Sequence, residues 1–172
     1  MLRRTTATTR RSRQLQNGCG SMISVIAIGK KHESWIERGV ERYEKRLSGA
    51  WSTKWVLLPH STREADSARQ EESERILARI SPEEYVILLD ERGTAIDSPA
   101  LSARIDQCFV TARPIVLVIG GAYGVSDALR QRADFVWSLS PLVFPHQLVR
   151  LILIEQLYRA QEIARGHPYH HQ

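Results

Sequence analysis

Long apolar runs are missing from this chain of 172 residues, and so are the marks of a secreted disulfide scaffold. No stretch approaches the roughly 20 apolar residues that a membrane helix needs, and no secretory leader pattern is present. A soluble, cytoplasmic protein without a membrane partner is therefore expected. The two cysteines, Cys19 and Cys108, are too few for a disulfide framework and suit a reducing compartment. Acidic residues are absent from positions 1 to 21, where Arg3, Arg4, Arg10, Arg11 and Arg13 stand, and these five arginines account for the whole net charge of +5. From Met22 onward the charge balances. Attraction to a polyanion must then come from local patches or from a surface shared by two subunits.

Two nucleotide signatures are also missing. A dinucleotide-binding fold places G-x-G-x-x-G after its first strand, whereas the first strand here ends in Gly29-Lys30-Lys31. A P-loop is absent as well, which removes the usual motif for nucleotide hydrolysis. Internal repeats and low-complexity segments are not seen after Met22.

What is present is an alternation of short apolar runs with helical stretches. Ile23 to Ile28 predicts a first strand; Ser34 followed by Glu37 reads as a capping box opening a helix to about Leu47, with Trp35, Ile36, Val40 and Tyr43 inward. Trp51 to Leu58 predicts a second strand, and a charged helix then runs to Ile80 on Ile76, Leu77 and Ile80. Tyr85 to Leu89 predicts a third strand, with Asp90-Glu91-Arg92-Gly93 as the turn after it. Ser98 as a cap, with Pro99 at the first helical position, opens a helix to about Thr111. Ile115 to Ile119 and Phe135 to Ser138 predict two more strands, and Pro145 begins a long helix on Leu148, Leu151, Ile152, Ile154, Leu157 and Tyr158. Such alternation implies an α/β fold: a mostly parallel sheet with helices on both faces. Residues 1 to 21 are expected to be a disordered basic extension, and residues 22 to 172 one domain.

The chemistry concentrates between residues 115 and 159. Gly120, Gly121 and Gly124 follow a strand that reads as buried on both faces, and open α/β sheets bind ligands at such strand ends. The glycines serve either a ligand's close approach or only a tight turn; Leu139 to Phe144 either lines a site or plugs a core. His146, at a helix start, is either a satisfied structural histidine or a neutral imidazole able to accept a proton. Glu155 and Arg159 stand four apart, as a helix-surface pair would, while Arg159 is also suited to clamp a phosphate. The ending HPYHHQ carries three histidines with no cysteine or carboxylate beside them, so no metal is expected. Tyr169 offers a flat face and a phenol to a nucleotide base.

The motifs VIGGAYG, SLSPLVFPHQLVR, IEQLYRA and the terminal HPYH occur in the order and spacing of a known family. The chain resembles the ribosomal RNA large-subunit methyltransferase H family, trefoil-knotted enzymes of the SPOUT class, from Met22 onward. The resemblance implies a C-terminal trefoil knot, which the residue pattern itself does not reveal. It implies S-adenosylmethionine held by backbone groups of three loops, matching Leu89, Gly120 and Leu139 to Phe144, that is Leu139, Ser140, Pro141, Leu142, Val143 and Phe144. It implies methylation of N3 of a pseudouridine on the assembled ribosome by a homodimer, without a metal, and places His146, Arg159 and Tyr169 at the family's functional positions. Two rivals stay open: a related knotted methyltransferase acting on transfer RNA, and a ribosome-binding protein with no turnover.

Overall fold

A computed structural model describes residues 22 to 167. Tyr169, with the rest of residues 168 to 172, lies outside the described residues, as does the basic extension. Five strands, β1 (Ile23–Ile28), β2 (Thr53–Leu58), β3 (Tyr85–Ala95), β4 (Ile115–Ile119) and β5 (Phe135–Ser138), form one parallel sheet in the order β2-β1-β4-β3-β5. Central β4 shows why. Its five residues are all buried, and the period of two sends Ile115, Leu117 and Ile119 to one face and Val116 and Val118 to the other.

Each face is then covered by helices. Helices α1 (Ser34–Glu44), α3 (Ser98–Val110) and α5 (His146–Ala164) bring Ile36, Val40, Leu101, Ile105, Leu153, Ile154 and Leu157 onto the first face. Helices α2 (Ala65–Leu77) and α4 (Asp127–Arg132) bring Ile76 and Leu129 onto the second. Leu151 packs so closely on α1 that a Cβ at Gly39 would stand 2.7 Å from its Cδ1. Helix α5 therefore lies flat against α1. No helix among the described residues is long and apolar enough to cross a membrane.

Four expectations are corrected. Trp35 does not face the core; it is 55% exposed and its indole N–H donates to Glu33 Oε2 at 2.6 Å. Ser34 is not a cap. Glu33 occupies that position with no side-chain bond, and its own N–H is taken by Gln147 Oε1 from α5. Asp97, one residue before Ser98, caps α3 by accepting from the Ala100 N–H at 2.8 Å. Finally, residues 90 to 93 are not a turn: β3 continues to Ala95, slips register after Leu89, and pairs again with β5 through Thr94 and Ala95. Gly93 permits this, since a Cβ there would stand 2.5 Å from the Val136 carbonyl oxygen.

Candidate active site

At the carboxyl end of the sheet, β3, β4 and β5 all open into one cleft of about 710 Å³. That is the size range of small-molecule and cofactor sites. Leu89, Ile119, Gly120 and Trp137 form its floor, Gly121 to Val125 one wall, Leu139, Ser140, Leu142, Val143 and Phe144 the other, and His146 and Val149 of α5 its end. Every residue expected to hold a cofactor lines the cleft except Pro141. Leu142 and Val143 are 68% and 80% exposed, an apolar rim that a ligand or partner would cover.

The glycine loop is shaped by close approach. A Cβ at Gly120 would stand 2.7 Å from Val125 Cγ1, and one at Gly121 would overlap Glu72 Oε2. Gly124 meets nothing within 4 Å, but its φ of +75° is the left-handed region that glycine adopts without cost. Behind the loop, the Ser126 N–H donates to Ser73 Oγ and the Ser126 hydroxyl caps α4, so the wall is anchored to α2 and α4 together.

A third wall was not foreseen in the sequence. Asp90, Glu91 and Arg92, carried on the slipped stretch of β3, also line the cleft. Burial pushes the Asp90 carboxyl up, but hydrogen bonds from Arg130 at 2.7 Å and from the Arg92 backbone and side chain outweigh it and hold it below the usual carboxylate range. Asp90 is thus an ionised anchor, and it fixes Arg92 at the cleft mouth.

His146 is the one titratable group of α5 that reaches the cleft. Burial lowers its pKa, and the Arg150 guanidinium and the His60 ring lower it further. Neutral imidazole is the form favoured there, which is the form that accepts a proton. Arg150 itself is fully buried. It donates to the carbonyls of Ile28 at 2.7 Å, Gly29 at 3.3 Å and Lys31 at 2.8 Å, and Gln147 adds a bond to Lys31 O. Gly29 is required by this clamp: its φ is +118°, and a Cβ would meet Arg150 Nη2 at 2.7 Å. The loop after β1 is held against α5 by a guanidinium that, among the described residues, has no carboxylate in contact.

Arg159 is not brought to the cleft. It lies thirteen residues beyond His146 on α5, about 20 Å at 1.5 Å per residue, and its Nη2 donates to Glu155 Oε1 at 2.8 Å. His146 and Arg159 of this chain therefore do not meet in the cleft.

A parallel sheet opening into such a three-walled cleft defines a class, and the comparisons name it. Residues 22–170 match the family described as "Predicted SPOUT methyltransferase". The fold resembles two solved structures, a probable methylase family protein from Haemophilus influenzae Rd KW20 and a probable methyltransferase from Bordetella pertussis Tohama I. The first has a TM-score of 0.53 at 15% identity over 88% of this chain and 71% of that one. The second has 0.50 at 14% over 81% and 96%. In sequence, the chain is 43% identical over 152 residues to the ribosomal RNA large subunit methyltransferase H of Thioalkalivibrio sulfidiphilus, covering 86% of this chain and 97% of the relative. It is 40% identical over 156 residues to the protein of that name from Desulfitobacterium hafniense, covering 86% and 98%. The chain belongs to the SPOUT methyltransferases and, among them, to the ribosomal RNA large subunit methyltransferase H family.

Proposed function

We propose that the protein transfers the methyl group of S-adenosylmethionine to N3 of a pseudouridine in large-subunit ribosomal RNA, on the assembled ribosome and as a homodimer. A cytoplasmic location follows from that substrate. The observation that carries the reading is the meeting of His146 with the ends of β3, β4 and β5 in one cleft. The residues present fit the cofactor: glycines that leave room at Gly120 and Gly121, backbone groups at Leu89 and along 139 to 144 for an adenine edge, and apolar cover from Leu142 and Phe144. When bound there, S-adenosylmethionine supplies an electrophilic methyl carbon on a sulfonium sulfur.

The chain's own residues have two tasks. Methyl transfer to the base nitrogen would leave the carbon–sulfur electron pair on the cofactor's sulfur and release the nitrogen's proton, which His146, kept neutral, would take. The walls hold donor and acceptor in line, which by itself is worth several kcal/mol, of the order of 7 for well-oriented groups. Arg159, about 20 Å along α5 from His146, then serves a site completed by the second subunit, where it opposes a phosphate or the charge developing on the base. Tyr169 is assigned to the same base-holding role.

The test is transfer of a labelled methyl group from S-adenosylmethionine to unmethylated ribosomes, isolated large subunits and transfer RNA, with Arg159→Ala beside the unaltered protein. Label on ribosomal RNA at a pseudouridine, lost in the variant, is the expected result. Label on transfer RNA alone would replace the substrate. No label on any of them, with ribosome binding intact, would replace the enzyme by a binding protein.

A further inference from the structure

Behind the cleft lies a second set of ionisable side chains. Glu72 of α2 is only 4% exposed, and its two oxygens are treated differently. Oε1 accepts from the Ser61 N–H at 2.9 Å and stands 3.8 Å from His60 Nδ1. Oε2 has no hydrogen-bond partner among the described residues and abuts Gly121 of the cleft wall. The His60 ring in turn packs edge-on to His146, with centroids 5.7 Å apart. A carboxylate, an imidazole and the cleft imidazole are therefore in sequence, and they come from α2, the loop after β2 and α5. Among the described residues no such group has the geometry of a metal site.

A buried carboxylate oxygen without a partner costs about 1 to 3 kcal/mol or more. A second histidine against the first adds repulsion whenever both are protonated. Neither feature helps the sheet to fold. Both make sense as a support for the ring that faces the cleft. We propose that Glu72 and His60 are positioning residues for His146: Glu72 fixes the His60 ring, and that ring fixes the orientation and proton affinity of His146. The proposal rests on the reading of His146 as the group that takes the proton. Its consequence for the glycine loop is direct. Gly121 leaves the space that Glu72 fills, so the wall of the cofactor cleft and the support of the histidine pair are built from one contact.

Four charged or titratable groups act on His146 from the elements around it. Arg150 on its own helix and His60 on the loop after β2 favour the neutral ring; Glu33 ahead of α1 and Glu72 on α2 favour the protonated one. The two proposed positioning residues thus pull in opposite directions, which gives a test that mere packing would not pass. The side-chain resonances of His146 are titrated by NMR in the full chain, in His60→Phe and in Glu72→Gln, alongside the pH profile of kcat for methyl transfer and the Km for S-adenosylmethionine. The midpoint of His146 should rise in His60→Phe and fall in Glu72→Gln, by about half a unit or more for charges at this separation. The acid limb of kcat should follow in the same directions while Km holds. Because His60→Phe keeps a ring in place, it guards against loss of fold in Glu72→Gln. Unmoved midpoints in both folded variants, or shifts of the same sign, would overturn the proposal. If the midpoints move as expected while the kcat limb stays, the positioning set stands and His146 is removed from proton transfer, so the two readings fail separately.

Discussion

At the amino end of the sheet, Asp134 accepts from the Val86 N–H at 2.9 Å, from Arg113 at 3.0 Å and from Arg132 at 3.3 Å, and both arginines also reach carbonyls of residues 81 to 84. At the carboxyl end, Arg150 is buried on carbonyls and, among the described residues, has no carboxylate in contact, while Glu72 keeps an oxygen without a partner there. Charges at the first end satisfy one another and staple β3, β4 and β5 together. At the second end Asp90 is paired with Arg130 and Arg92, but Arg150 is spent on loop carbonyls and Glu72 Oε2 abuts the cleft wall. The difference separates what holds the strands in register from what is reserved for a ligand.

The hardest blow to that contrast should come from Arg150→Met. The substitution takes the guanidinium from the carbonyls of Ile28 and Gly29 and leaves that of Lys31 only its bond from Gln147. A loss of about 3 kcal/mol or more is expected in chemical denaturation, together with loss of methyl transfer. A fully stable variant would show that the loop after β1 does not need its clamp. Next comes Gly121→Ala, which displaces Glu72 Oε2. It should weaken S-adenosylmethionine binding at least about tenfold, or 1.4 kcal/mol, in calorimetry, and Glu72→Ala in the same chain should recover part of it. Unchanged affinity would mean that the wall yields.

Asp134→Asn tests the opposite end. It should cost about 1 kcal/mol, a fall in Tm of roughly 2 to 4 °C for a domain of this size, with kcat unchanged. Burial raises the Asp134 pKa, but the Val86 N–H and Arg113 outweigh it and leave it below the ordinary 3.8. A lowered carboxylate stabilises above its unfolded value and loses that contribution as pH falls through the folded one, so the variant should be matched by the unaltered protein only in strong acid. A fall in kcat would erase the division between the two ends. The smallest effect concerns His146. Its pKa is lowered from 6.5, so methyl transfer should persist as pH drops past 6.5 and fall only below it.

The same division explains what was legible in the sequence. Strand β4, β5 and the glycine loop could be read because their signals are local: β-branched runs, glycines at a strand end, a proline before a helix. Trp35 could not be placed, because a helical period gives a face and not the width of the buried stripe. Residues 90 to 93 read as a turn because their acids and glycine look like one; only β5, more than forty residues on, pulls them back into the sheet. Glu72, His60 and Arg150 had no signature at all. Each is an ordinary charged residue until distant backbone closes around it.

The order of the strands has a last consequence, for the making of the chain. Strand β1 pairs with β4, and the core of its first face waits for Leu153, Ile154, Leu157 and Ala160 of α5, the final helix. Strand β1 therefore stays partly uncovered until α5, far along the chain, has been made. Long-range pairing of this kind is slow and leaves apolar strands uncovered in the interval. A nascent chain thus carries β1, β2 and β3 half-finished until β4 and α5 have both been made.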